Sequence, residues 1–276
     1  GLKLLIASFI VLPLLPNHPI DPWQALNPYK LWLLVILISA MSLLGYVAVR
    51  WLGAAQGTVV TGFSGGLASS TAATLSFARS SKFDADPLAA DTQACGVLLA
   101  WLVMFIRVMV TVSIVYKPLL AYLWLPFGVM ACTTAVLASA FYWRGSQRYQ
   151  AVQPGTVKLS NPFSLLAAIK FGALFAAILL LVKLTERYAA AEGLYLLAAV
   201  AGLTDVDAIT LSMAEYARQS AQSLTVAAAA VTIAALSNTV VKCGLVVVLG
   251  GRALANKLVV ATVLILIPGI TVLFFI

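Results

Sequence analysis

Residues 66–78 read GLASSTAATLSFA, and residues 202–214 read GLTDVDAITLSMA. Set side by side, Gly66 on Gly202 through Ala78 on Ala214, they agree at seven of thirteen positions with an offset of 136. Both lie among strongly apolar neighbours, yet both are built from small and polar residues. Twelve of the fifteen residues from Gly62 to Ser76 are Gly, Ala, Ser or Thr. In a membrane, small residues let helix backbones approach closely, and hydroxyls hydrogen-bond between them. Two copies of such a segment in one chain point to a duplicated helical membrane protein.

The likeness extends both ways. Upstream, Gly53-Ala-Ala-Gln-Gly57 faces Ala189-Ala-Ala-Glu-Gly193, and Asn27-Pro28-Tyr29 faces Asn161-Pro162-Phe163. Downstream the offset falls by one, so that Arg107 faces Lys242 and Lys117 faces Arg252. Matched bases inside apolar segments weigh more than matched Ala or Leu, which this composition makes common. The expected organisation is a short N-terminal span and linker (1–26), a first repeat (27–142), a connecting loop (143–160) and a second repeat (161–276). Duplicated membrane proteins usually build their site at the repeat interface, so the Gly66 and Gly202 segments are expected to meet near the bundle centre.

Composition fixes the class. The 276 residues are 62% hydrophobic and 9% charged, against about 25% charged in soluble domains. Turn-punctuated alternating strands are missing, which excludes an outer-membrane barrel. The expected fold is all-α, a polytopic transmembrane helix bundle of about 8–9 spans. Its apolar segments run 4–15, 31–49, 58–78, 94–116, 119–142, 163–185, 192–214, 223–249 and 258–276. The first is short and begins without Met or a cleavable signal pattern, so the chain is expected to extend upstream. If 58–78 and 192–214 both cross, the repeats are parallel and the Lys and Arg outside the membrane split seven to seven. If both re-enter, the repeats are inverted and the split becomes nine to five, with Arg79, Lys82, Arg144 and Arg148 on the richer side. The bias of bases toward the cytoplasm gives the second arrangement a modest advantage.

The net charge of +8 is dispersed along the loops, which suits the lipid bilayer and argues against nucleic acid. Cys95, Cys132 and Cys243 fall in apolar segments and His18 in a loop, so neither a disulfide framework nor a zinc site is expected.

Asp205 and Asp207 are the sharpest chemical signal. A carboxylate at a helix centre costs on the order of 3 kcal/mol, so two in three residues should meet water, a cation or a base. Residues two apart on a regular helix point some 200° away from each other, so a shared ligand needs the backbone to open, which Gly202 and Thr204 favour. The alternative is that Asp205 caps a helix starting near Val206, placing the pair at the membrane interface. The candidate cation-binding set is Asp205, Asp207, Thr204, Ser69, Ser70 and Thr71. In the first half the hydroxyls are read as packing groups that hydrogen-bond between helices ahead of weak cation ligands. Arg107 and Lys242 are the expected intramembrane basic partners. Asn238, Thr74 and Thr210 are expected to line the cavity, and Gly62, Gly65, Gly66 and Gly202 to hinge or pack closely. An aspartyl protease would need a second acid at comparable depth on another helix. Asp91 begins its span and Asp84 and Asp86 are in a loop, so an enzyme is not expected.

Taken together, LPLLPN (Leu12–Asn17), PWQALNP (Pro22–Pro28), the Gly65–Ala72 block and the Gly202–Ala208 block resemble the uncharacterised C-terminal multi-pass domain of MgtC/SapB-type bacterial membrane proteins. The resemblance implies a bacterial inner-membrane protein, an upstream MgtC-like domain and a loose link to Mg²⁺ physiology. The expected function is a transporter or channel for a small inorganic ion, a cation and preferably a divalent one such as Mg²⁺. It would need no cofactor beyond a bound cation and would work alone or as a homo-oligomer. The alternative is a non-transporting regulatory module of the MgtC type.

Overall fold

The computed structural model describes residues 9–22, 26–52, 57–82, 87–146, 165–188, 191–218 and 221–274. Residues 4–8 of the expected first span, 147–160 of the expected connecting loop and the matched Asn161-Pro162-Phe163 lie outside them. The regular elements among the described residues are all helical. They are α1 (Pro28–Leu52), α2 (Gly57–Ser80), α3 (Pro87–Val115), α4 (Leu120–Ser146), α5 (Leu165–Tyr188), α6 (Ala191–Gly202), α7 (Val206–Tyr216), α8 (Ala221–Leu249) and α9 (Arg252–Leu273).

Four stretches are long and apolar enough to cross a membrane: Ala89–Val115, Lys117–Gly145, Ser223–Leu249 and Arg252–Leu273. Shorter apolar helices cover Pro28–Leu37, Gly172–Thr185 and Glu192–Thr204. Only helices and closed barrels satisfy every backbone polar group in hydrocarbon, so this composition leaves the chain little choice. The protein is a multi-pass helical membrane protein. Its core runs along α3 through Trp101 and Phe105, both fully buried. Phe105 meets Phe127 of α4 edge to face, with centroids 6.1 Å apart.

Alpha-3 serves as a ruler for everything packed on it. Thr58, at the start of α2, and Phe77, near its end, both press on Gly96. Between them Gly66 meets Ala100 and Val103, the Leu67 carbonyl reaches Arg107, and Thr74 returns to Trp101. Alpha-2 therefore advances along α3 to Arg107 and comes back. The bend is at Ser69, whose backbone is extended (φ −165°, ψ 109°) inside the helix.

The second broken element enters from the other end. Arg218, just past α7, donates to the Val115 carbonyl at 2.5 Å, while Asp207, at the start of α7, pairs with Arg107. Alpha-7 thus runs outward along α3 from its middle to its end. Lys183 of α5 shares a crevice with Lys30 and Glu215, so α5 ends, and α6 begins, on the Val115 side.

The remaining helices are oriented by similar contacts. Lys30, at the start of α1, pairs with Glu215 at 3.4 Å, which starts α1 on the Val115 side. Gly145 of α4 packs on Thr92, and Gly251, after α8, packs on Ser81. Lys257 of α9 pairs with Asp91. Alpha-4 and α8 therefore end on the Asp91 side, and α9 starts there.

Candidate functional site

Each hairpin tip is made by a side chain replacing a helix's lost backbone partner. At the first, the Ser69 hydroxyl accepts from the Ala72 amide at 3.2 Å. At the second, Asp205 is extended (φ −156°, ψ 136°) and its carboxylate accepts from the Asp207 amide at 3.0 Å. Ser69 and Asp205 are aligned in the two matched sequence segments, and each caps the helix that follows it. The capping role expected as the alternative for Asp205 is thus present. It occurs at depth and not at the interface, because Asp207, two residues on, pairs with Arg107 well inside α3. A short polar side chain that offers the backbone a non-helical partner is enough to break the helix in each case.

The carbonyls freed at the second tip are also occupied. Thr204 donates to the Ala201 carbonyl at 2.8 Å, and Asn238 of α8 donates to the Gly202 carbonyl at 2.8 Å. Asn238 is 4% exposed, so this bond closes a buried amide that would otherwise be costly. Gly202 is required by packing: a Cβ there would come 2.8 Å from the Ala234 Cα. Gly66 and Gly62 have the same role in the first half, where an added Cβ would come 2.7 Å from the Ala100 and Gly96 Cα atoms respectively. Gly65 is buried beside them. The glycines thus pack on the helix that follows in their own half and do not provide the meeting of the tips.

That meeting is made by the two bases, and each reaches across. Arg107, from α3, donates to the Leu67 carbonyl at 3.3 Å and to the Asp207 carboxylate at 2.5 Å. One guanidinium therefore holds both tips. Lys242, from α8, is 1% exposed and donates to the Ser70 hydroxyl at 2.9 Å and the Met104 thioether at 2.7 Å. With Asp205 and Asp207 they form a cluster of two basic and two acidic side chains. Arg107 is thus paired inside the bundle.

The other expected residues divide. Thr74 is fully buried; it donates to the Ser70 carbonyl at 2.8 Å and accepts from the Trp101 indole at 3.0 Å. Thr210 is fully buried, and its hydroxyl has no hydrogen-bond partner. Thr71 and Thr204 are exposed. Among the described residues no group of three His, Cys, Asp or Glu side chains is placed to hold a metal. A cation here would take Asp205 together with hydroxyl and carbonyl oxygens.

Sequence reasoning missed Met104, Trp101 and the Leu67 carbonyl. Trp101 carried a usable signal, since a buried indole N–H seeks an acceptor. A backbone carbonyl carries none.

The fold and site define a multi-pass helical membrane protein with a charged cluster where two bent helices meet. The chain belongs to the family described as "Domain of unknown function (DUF4010)", which matches residues 36–250 and so takes in both tips and both bases. It is similar to an uncharacterized protein of Aquifex aeolicus, 30% identical over 200 residues, which covers 71% of this chain and 84% of that relative. No solved structure matches it.

Proposed function

We propose that the protein is a carrier for a small cation in a bacterial inner membrane, built as an inverted duplication. One observation carries the reading: two bent, small-residue hairpins approach from opposite ends of the bundle and share one charged cluster. In this reading α1, α3 and α4 cross while α2 re-enters. Alpha-5, α8 and α9 cross in the opposite sense, and the α6–α7 pair re-enters from the other face. That makes six crossings and two hairpins where eight or nine spans were expected. Matched lengths support it, 29 residues each for α3 and α8 and 25 against 24 for α1 and α5. The re-entrant count is also the one with the nine-to-five division of bases, which favours a cytoplasmic Asp91 side. Broken helices meeting at the interface of inverted repeats are a common carrier design.

Asp207 is bonded to Arg107, so the carboxylate left to receive an incoming ion is Asp205, in competition with Lys242, which faces it in the same cluster. One such charge favours a monovalent cation over the divalent one expected from sequence. Because Arg107 holds both tips, letting go of either frees one hairpin to move against the other. The test is cation-dependent melting of the purified protein across Na⁺, K⁺, Mg²⁺, Mn²⁺ and Zn²⁺, with flux measured in proteoliposomes. A cation that raises the melting temperature of the parent but not of Asp205→Asn supports the reading. No response to any cation, with no flux, turns it toward the regulatory module. Gly62 packed on Gly96 and Gly66 on Ala100 favour that second reading, since they make a close-packed, dry interface.

A further inference from the structure

A crevice of about 450 Å³ opens at the Val115 end between α1, α5 and the end of α7. Its rim carries Lys30, Lys183 and Arg218 with one acid, Glu215, and its wall carries Leu31, Leu34, Phe175 and Leu179. Only five Lys or Arg are assigned to this face by the inverted arrangement, and three of them gather here.

The order along the helices is informative. Lys183, Leu179 and Phe175 are spaced by four, so they share one face of α5 and run inward over about 12 Å. On α1, Lys30 gives way to Leu31 and Leu34 in the same direction. The crevice narrows beyond them, where a Cβ on Gly172 would lie 3.2 Å from Val35. A positive rim therefore stands over an apolar channel that closes at its inner end.

Glu215 is shared between Lys30 at 3.4 Å and Arg218 at 3.3 Å. Arg218 is positioned further by the Val115 carbonyl and by the Tyr116 ring, 5.5 Å from its centroid. Such a rim repels the cation proposed for the tips, so the crevice is a separate site and not the entrance to that one.

We propose that this crevice binds an anionic phospholipid. Its phosphodiester headgroup lies on Lys30, Lys183 and Arg218, and one acyl chain lies along the α1 and α5 wall. Basic pockets between membrane helices recognise headgroups in this way, and charge-assisted bonds to phosphate are strong. The lipid ties the crossing helices α1 and α5 to the hairpin that carries Asp207.

The test uses the full chain in neutral detergent. Melting is followed with short-chain phosphatidylglycerol, with phosphatidylcholine of the same chains, and with glycerol phosphate, which has no chains. Phosphatidylglycerol at ten times its Kd is expected to raise the melting temperature by about 3–5 °C. The other two should have little effect. Lys30→Gln/Lys183→Gln should lose that rise while Lys30→Arg/Lys183→Arg keeps it, each measured against its own lipid-free baseline. Equal responses to both lipids would overturn the headgroup assignment, and a full response to glycerol phosphate would overturn the acyl wall. A double glutamine variant that still responds to phosphatidylglycerol would place the lipid elsewhere and end the proposal.

Discussion

At the first tip a serine turns the backbone and takes one amide; at the second an aspartate does the same work with a carboxylate. Two residues further on, Thr71 is exposed where its counterpart Asp207 is clamped by Arg107. The bases show the opposite asymmetry. Arg107 of the first half holds a carboxylate of the second, whereas Lys242 of the second half finds only a hydroxyl and a thioether in the first. The comparison shows that breaking the helix needs an acceptor but no charge, since Ser69 manages without one. The negative charge of Asp205 is therefore surplus to capping the tip, and that surplus is the best reason to look for an ion there.

The largest expected effect comes from cutting the crossed pair. Arg107→Ala leaves Asp207 without its partner, in a pair whose side chains are 11% and 15% exposed. The expected loss of stability is about 3–5 kcal/mol, because an uncompensated buried charge remains. Removing both ends together, as Arg107→Ala/Asp207→Ala, should restore much of it. Lys242→Met deletes a base whose bonds are to neutral groups, so it should cost clearly less than Arg107→Ala. Equal losses from Arg107→Ala and Lys242→Met in detergent unfolding would abolish the distinction between the two halves.

The helical class, the matched bases and the two unusual segments were legible because each is a composition or spacing signal. Four charged residues inside apolar helices stand out in any membrane sequence, and all four proved to share one cluster. Whether 58–78 and 192–214 run on or turn back was not legible. The bend at Ser69 depends on one residue's backbone angles, and neither Gly65-Gly66 nor Ser69-Ser70 forbids a continuous helix. Nor could the sequence tell that Asp205 caps a helix at depth, because an Asp that caps at the interface and one that caps inside the bundle carry the same local signal. Capping and burial are compatible once the cap sits at a hairpin tip.

A smaller effect separates Thr74 from Thr210, which are aligned in the two matched segments. Trp101 supplies a donor to Thr74, but its counterpart at offset 135 is Leu236, and the Thr210 hydroxyl is left without a partner. Thr74→Val should cost about 1–3 kcal/mol by stranding the buried indole N–H. Thr210→Val removes an unsatisfied buried hydroxyl in a change of nearly equal shape, so it should be neutral or stabilising. Matched losses in thermal unfolding would mean that Thr210 has gained a partner, such as an ordered water, and that the halves are more alike than they look.

The smallest expected change in stability is also the most informative. Asn caps a helix about as well as Asp, so Asp205→Asn should move stability by no more than a few tenths of a kcal/mol. Asp205→Ala removes the cap altogether and should cost about 0.5–2 kcal/mol, as should Ser69→Ala at the first tip. If capping were the whole role of Asp205, the Asn variant would match the parent in every measurement. If the carboxylate also receives a cation, the Asn variant keeps its fold and loses its response to that cation. Ser69→Asn supplies the control, because it preserves a cap at a tip that never carried a charge and should leave the cation response intact. Melting curves of Asp205→Asn and Ser69→Asn, with and without the active cation, therefore read the two roles separately. A cation response that survives in Asp205→Asn would leave both tips with a purely structural role.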